Sequence, residues 1–566
     1  MLIDLALESL PNNLSDAKVV KIYKTAGAAV SSGEVLFDVE GGKSCVSVKA
    51  NANGILQKVN VELGGLIKAG DVLAVIDGER AQSGQSVSKA GLDYFGSLLK
   101  PKKETIRTDI AVIGAGPGGY VAALQAAKMG ADVVLVEKDA VGGTCLNRGC
   151  IPTKAFARSA EVFRELKNAS AYGCTAGQIA VDWKGVITRK NDAVKKLTDG
   201  IRYLLNKHGV RLVNGTGELL DRNTVFVKAP GGETTIQAQN IILAPGSRSA
   251  SLKIPGIDQK NVLTSDQVLD MDGLPESMVI IGGGVIGMEF AFIFSSFGVK
   301  VSVVEYLTEC LVSCDSDVCA QISRFAAEKG IRLYKGCKVE EILPSEDESC
   351  IVAFSGRDKA QKYISAQKVL LSVGRTPSQD GLGIEKAGIE LNENGRGIKV
   401  NEKMQTNVPN IYAIGDVTNR IMLAHVASQQ GVVAVNNIMG KACGMDYSAV
   451  PNAIFTDPEI AMVGMCEDSA EKAGIAIEVG KFPFSANGKA LAAGDDRGFV
   501  KLIMNKASKE IIGGTIIGPH ATDLIAEITL AVTHHMKAGQ LMQTIYAHPT
   551  TAEAVHEAAL ALEGVD

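Results

Sequence analysis

The sequence carries no surplus of positive charge. Its 566 residues have a formal net charge of −5, so no basic field draws it to nucleic acid or to an anionic membrane. It has no apolar run long and charge-free enough to span a bilayer. Its start, MLIDLALE, lacks the basic stretch and long apolar core of a signal peptide. Its 11 cysteines, an odd number, show no disulfide-framework spacing. That excludes a small cross-linked secreted scaffold and points to a reducing compartment, where a disulfide is catalytic rather than structural. What is present is apolar and rich in glycine: 46 % hydrophobic residues, 21 % charged residues and 61 glycines. Such a composition suits an α/β protein of several domains with many tight turns. The expectation is a cytoplasmic, multidomain enzyme.

The stretch 142–154 reads GGTCLNRGCIPTK. Cys145 and Cys150 can meet across a distorted turn at a helix start, where the helix N-terminus also stabilises a thiolate. Two buried structural cysteines would fit the same positions. The neighbouring motifs favour a redox disulfide. Ahead of it, Ile110–Ile113 reads as a buried parallel strand running into a glycine-rich turn and then a helix. Gly114, Gly116 and Gly119 have the GxGxxG spacing, which allows the turn, admits a pyrophosphate and lets helix and strand pack closely. The next strand ends at Glu137, placed to accept hydrogen bonds from a ribose. A second unit repeats the pattern with Gly282, Gly284 and Gly287 and a strand ending at Glu305. An acid there bonds both ribose hydroxyls but repels a 2′-phosphate, which selects NAD over NADP.

Residues 1–77 alternate short β-like runs with glycines and contain two half-copies, GAAVSSGEVL at 27–36 and GGLIKAGDVL at 64–73. The repeat predicts a flattened all-β barrel of two similar sheets. Residues 78–106 turn small and polar and read as a flexible linker; within it lies the segment 92–99, whose docking place is open.

The 142–154 stretch strongly resembles the active-disulfide segment of flavoprotein disulfide reductases. The resemblance implies two Rossmann-like dinucleotide-binding domains and an α+β dimerisation domain. Their expected extents are 107–255 with 376–447 for FAD, 256–375 for NAD, and 448–566 for the dimer interface. It implies FAD contacts at Gly114, Gly116, Gly119, Glu137, Gly143, Thr144, Lys154, Gly217, Gly246, Asp416 and Ala424, with Pro245 a departure from the usual residue. It implies NAD contacts at Gly282, Gly284, Gly287, Glu305, Val339 and Gly374. Lys154 is expected to pair with Glu289 near the flavin. His548 and Glu553 match the family's HPTxxE, in which the histidine takes the proton of a thiol and the acid orients it. That histidine serves the neighbouring subunit's flavin, so a homodimer is implied. No metal site is expected.

Residues 1–77 resemble lipoyl or biotinyl carrier domains, with Lys43 at the modified position. Gly42 stands where an acid commonly precedes that lysine, and the Met-Lys-Met of biotin carriers is absent. Within the reductase family, Glu305, a tail without a cysteine pair, and the lipoyl-like domain together select members that oxidise protein-bound dihydrolipoamide. Such members serve 2-oxo acid dehydrogenase-type or glycine-cleavage complexes, and the partners expected are their lipoyl-bearing acyltransferase or carrier proteins. Two other readings stand beside this one: an NADH-dependent reductase of a different disulfide, and a docking role for the N-terminal domain. Lipoate on Lys43 adds its mass to the natively expressed chain; an intact-mass spectrum at the bare sequence mass sinks the attachment.

Overall fold

The computed structural model describes residues 2–6, 16–31, 34–41, 44–68, 71–79, 102–229 and 232–564. The chain divides into two compact units, Met1–Lys100 and Pro101–Asp566, each built around its own core.

Among its described residues the first unit holds eight strands: β1 (Leu2–Ala6), β2 (Ala17–Ile22), β3 (Ala29–Val30), β4 (Val35–Gly41), β5 (Ser44–Lys49), β6 (Asn53–Val59), β7 (Leu66–Ile67) and β8 (Val72–Glu79). They form two open four-stranded sheets rather than one closed barrel, in the orders β1-β8-β6-β3 and β5-β4-β2-β7. The two half-copies explain this symmetry. Exchanging β2, β3, β4 and β5 for β6, β7, β8 and β1 turns one sheet into the other. The alternating apolar residues of each strand meet between the sheets, where Leu36, Phe37, Val39, Leu56, Ala74 and Ile76 are fully buried. Lys43 lies outside the described residues. The strands on either side of it, β4 and β5, pair antiparallel with Gly41 opposite Ser44.

The second unit begins with a strand, β9 (Lys102–Ile113). Its first residues correct the linker expected over 78–106. Lys102–Thr108 pair in parallel with Gly232–Ala238, Glu104 is bonded by Arg211 at 2.6 Å, and Ile106 is buried. Among Lys102–Thr108 only Ile106 is apolar, and so polar a stretch resembles a tether. The strands Arg211–Asn214, β10 (Val133–Glu137), β9 and Gly232–Leu243 run parallel, and Ile411–Ala413 returns late in the sequence to join Gly232–Leu243. All of β10 is buried, as expected of a parallel strand covered on both faces.

Three helices on this sheet carry the glycine-rich turn and the cysteines: α1 (Pro117–Lys128), α2 (Gly143–Arg148) and α3 (Cys150–Lys167). A second parallel sheet has the order Val262–Thr264, Lys368–Leu371, Ser277–Ile281, Lys300–Val304 and Arg332–Tyr334. It carries α4 (Val285–Ser296), whose Phe290, Phe292 and Phe294 are buried. The single tryptophan, Trp183, lies against Phe156 of α3 (ring centroids 5.0 Å apart) and Phe297 just after α4 (5.8 Å). Its indole N–H donates to the Met271 carbonyl at 2.8 Å. One aromatic cluster thus binds the cysteine-bearing helix to the second sheet. Last comes a five-stranded antiparallel sheet of Asn452–Ile454, Glu459–Gly464, Ile511–Gly518, Phe499–Asn505 and Ile477–Pro483. Among the described residues, no helix is long and apolar enough to cross a membrane.

Candidate functional site

Both glycine-rich turns are built alike. Gly114 and Gly282 take the left-handed φ of +102° and +106°, which lets each strand turn sharply into its helix. A side chain on Gly287 would place Cβ 2.0 Å from the Gly282 carbonyl oxygen, and on Gly119 1.8 Å from that of Gly114. Helix and strand therefore touch backbone to backbone. The middle glycines differ. Gly284 has ordinary extended backbone, φ −73° and ψ −174°, and no atom of the protein stands within 4 Å of where its Cβ would be. Nothing in the chain requires glycine there, so the space is kept for something else. Gly116 is nearly as open, its nearest neighbour the Gly143 Cα at 3.9 Å. The helices beginning at these residues, α1 and α4, have no side-chain cap and no acid in the first turn. Their free N–H groups and positive dipole ends suit a pyrophosphate.

Glu137 and Glu305 end equivalent strands and are both buried. Glu137 accepts the Ala115 N–H at 2.7 Å and the Asp139 N–H at 2.9 Å; Glu305 accepts the N–H groups of Gly283 and Leu307. Each carboxylate is thereby fixed at its turn, with lone pairs left for ribose hydroxyls.

The redox stretch abuts the first turn. Gly143 adopts φ +57°, and a Cβ on it would come 2.7 Å from the Gly116 Cα. Helix α2 starts there and carries Cys145. Gly149, at φ −142° and ψ −112°, breaks the chain direction, and Cys150 opens α3. Both cysteines are thiols, and their sulfurs hydrogen-bond each other. The hydrogen bond from Cys145 lowers Cys150 to about 7, with the Lys154 charge helping against burial and the Glu289 charge. Cys145, as donor to its neighbour and half-buried, is pushed up. The pair is thereby polarised, Cys150 toward the thiolate and Cys145 toward the thiol.

Lys154 lies one turn into α3. Its Nζ bonds both oxygens of Glu289, at 3.0 and 2.9 Å, and stands 4.2 Å from the Phe455 ring centroid. Glu289 is buried in the mostly apolar α4 and also accepts the Phe455 N–H at 3.0 Å. Asp416 accepts from the Ser247 hydroxyl at 2.5 Å, which in turn accepts from Arg375 Nε at 2.7 Å. Near the C-terminus, His548 Nδ1 is 2.9 Å from Glu553 Oε1. Glu553 Oε2 accepts the Thr550 N–H at 2.8 Å. That backbone bond first, then His548, holds the Glu553 carboxyl below its usual range. His548 is 80 % exposed, and within one chain its described side-chain bond goes to Glu553 alone.

Gly217 faces Val136 and Ile113; Val339 is buried among Val279, Ile281 and Val304. Gly246 and Gly374 take left-handed φ of +74° and +108°, and Ala424 opens the helix Ala424–Ile438. Among the described residues no cluster of His, Cys, Asp or Glu suits a metal ion. Sequence reasoning missed Ser247, Arg375 and Phe455 as parts of the site. Arg375 lies inside the segment SVGRTP that closes the second nucleotide unit, but nothing in that segment gives it a role; Ser247 and Phe455 carry no signal of their own.

Residues 108–431 match the family model described as pyridine nucleotide-disulphide oxidoreductase, and 450–559 match the dimerisation domain of the same family. The chain belongs to the pyridine nucleotide-disulphide oxidoreductases. Residues 11–76 match a model described as biotin-requiring enzyme, the biotin/lipoyl domain. A protein of Chlamydia muridarum named dihydrolipoyl dehydrogenase is 42 % identical over 458 residues, covering 80 % of this chain and 96 % of the relative. One of the same name from Bacillus subtilis is 40 % identical over 466 residues, covering 81 % and 98 %. Among solved structures, LpdA of Mycobacterium tuberculosis aligns with a TM-score of 0.75 at 28 % identity, over 80 % of this chain and 99 % of that one. The HOCl-induced flavoprotein disulfide reductase RclA of Escherichia coli aligns with a TM-score of 0.71 at 27 % identity, over 80 % and 99 %. Members of this oxidoreductase family use FAD and NAD(H). The open middle glycines, uncapped helix starts and fixed terminal acids fit two such dinucleotides.

The two kinds of glycine respond differently to substitution. Gly287→Ala forces helix and strand apart and lowers stability by about 1–3 kcal/mol, read as a fall in the unfolding midpoint. Gly284→Ala leaves that midpoint unchanged and raises the KM for the nicotinamide cofactor at least about tenfold, since only the ligand meets the added methyl. Replacing Lys154 by Met removes the cation beside Cys150, and the thiolate titration of the reduced protein moves upward from about 7, by about one unit.

Proposed function

We propose that this enzyme oxidises protein-bound dihydrolipoamide to lipoamide and reduces NAD⁺ to NADH. The observation that carries the reading is the Cys145–Cys150 dithiol, hydrogen-bonded together beside the Lys154–Glu289 pair. The His548–Glu553 dyad supplies the base. FAD is held through Gly114, Gly116, Gly119, Glu137, Gly143, Thr144, Lys154, Gly217, Gly246, Asp416 and Ala424. NAD is held through Gly282, Gly284, Gly287, Glu305, Val339 and Gly374. The corresponding domains are 107–255 with 376–447, 256–375, and 448–566, preceded by the carrier-like domain 1–77.

FAD, when bound, supplies two-electron transfer between the dithiol and the nicotinamide. The chain's own residues do the rest. His548 takes a proton from one substrate thiol, and Glu553 stabilises the imidazolium and fixes its Nδ1–H. The substrate thiolate attacks the Cys145 sulfur of the oxidised pair; the Cys145–Cys150 bond breaks, and Cys150 leaves as the thiolate that Lys154 favours. The sulfur of the second substrate thiol attacks its partner sulfur in the mixed disulfide, the bond from that sulfur to Cys145 breaks, and the second thiol's proton passes to Cys145, which leaves as the thiol. Lipoamide departs and the dithiol remains. His548 is exposed in one chain, which supports a homodimer in which His548 acts on the partner's dithiol. The partners proposed are lipoyl-bearing proteins of a 2-oxo acid dehydrogenase-type or glycine-cleavage complex, in the cytoplasm, with Lys43 as the lipoate attachment point.

Similarity to the RclA disulfide reductase favours one second reading, an NADH-dependent reductase of another disulfide. Anaerobic addition of dihydrolipoamide separates the two. Under the first reading NADH appears when NAD⁺ is then added, and Cys150→Ser abolishes that turnover by at least about a thousandfold while FAD stays bound. A wild-type protein indifferent to dihydrolipoamide but reactive with NADH moves the substrate to the second reading.

A further inference from the structure

The loop after strand Asn452–Ile454 reads Phe455-Thr-Asp-Pro and comes from the C-terminal antiparallel sheet, yet it touches the redox helix twice. At one end the Phe455 N–H bonds Glu289 at 3.0 Å and its ring covers the Lys154 ammonium. At the other, Asp457 binds Arg164, ten residues further along α3, at 2.5 Å. Ten residues of helix span about 15 Å. Asp457 is largely buried and gathers two more cations, Lys329 just after the helix Ser316–Glu328 and Arg497 at 2.6 Å. Arg497 is held in turn by Asp495 at 2.7 Å and faces the Phe325 ring. Between the two ends, the Thr456 hydroxyl donates to the Pro458 carbonyl at 2.8 Å, and Ile454 is fully buried in the aromatic cluster around Phe156 and Trp183.

One carboxylate thus joins three elements distant in sequence. Its removal would leave three cations facing one another in a site that excludes most water, a costly state. The side chains electrostatically coupled to Cys150 are Cys145, Lys154 and Glu289, and of these the loop holds the last two.

We propose that Asp457 is a positioning residue for the redox centre: by binding Arg164, Lys329 and Arg497 it fixes the loop whose Phe455 holds the Lys154–Glu289 pair beside Cys150. The inference rests on the dithiol reading of the proposed function and adds to it a control point outside the reacting groups.

The test uses the full, flavin-loaded protein in its reduced form. Thiolate absorbance and alkylation of Cys150, mapped by mass spectrometry, are followed against pH for wild type, D457N, D457E, R164M and F455L. In wild type Cys145 and the Lys154 charge hold the Cys150 thiol below its usual range, at about 7. R164M loosens one of the two grips, and its midpoint rises by about half a unit or more, so the thiolate fraction at pH 7 falls about twofold or more. D457N moves further in the same direction, D457E returns to the wild-type midpoint, and F455L shifts it with the ionic cluster intact. If D457N does not fold, R164M and F455L decide. Folded, dimeric R164M and F455L with the wild-type midpoint, changed only in melting temperature, overturn the positioning role. A wild type without any thiolate near neutral pH removes the dithiol reading itself, and this inference with it.

Discussion

The Lys154–Glu289 pair is the interaction on which the second unit depends. Glu289 is the one charged residue in a mostly apolar helix, and a buried carboxylate without partners costs several kcal/mol. Here two ammonium contacts and a backbone N–H offset that cost. A buried pair of this kind adds little net stability compared with a well-packed apolar replacement. What it contributes is place: it brings a cation from the cysteine helix, an anion from the second nucleotide-binding sheet and a loop from the antiparallel sheet to one point. The thiolate chemistry of Cys150 depends on that meeting, because a charge can tune a sulfur only when its own position is fixed.

What the sequence makes legible is what is local. Each GxGxxG turn, with its strand and helix, spans a few dozen residues, and the first and third glycines of each have a steric reason in the packing of that turn. The redox cysteines lie five positions apart, and His548 and Glu553 also lie five apart, with both geometries set by the intervening turn. The same holds for the repeat in the first unit. What escaped was contact between distant residues. Phe455 and Asp457 are ordinary in composition, and of their partners Arg497 lies 40 positions away while Lys154, Arg164, Glu289 and Lys329 lie on elements far earlier in the chain. Ser247 meets Asp416 across 169 positions. No periodicity encodes such pairs.

The strand Lys102–Ile106 escaped for a different reason. Its residues before Ile106 are all charged or polar, and only the parallel partner at Gly232–Ile236 turns a polar ribbon into part of a sheet. Propensity alone leaves such a segment undecided, because what stabilises it is the cross-strand neighbour.

The symmetry of the first unit has a consequence for how it folds. Each half lends a two-residue strand to the sheet built by the other: β3 pairs with β6, and β7 with β2. Neither sheet is complete until both halves are present, and residues of both halves share one apolar core. A half on its own would expose one edge and half of a core, too little buried surface to offset its chain entropy. The first unit therefore gains its stability in a single cooperative step, and the duplicated segments act as one indivisible folding element rather than as two small ones joined.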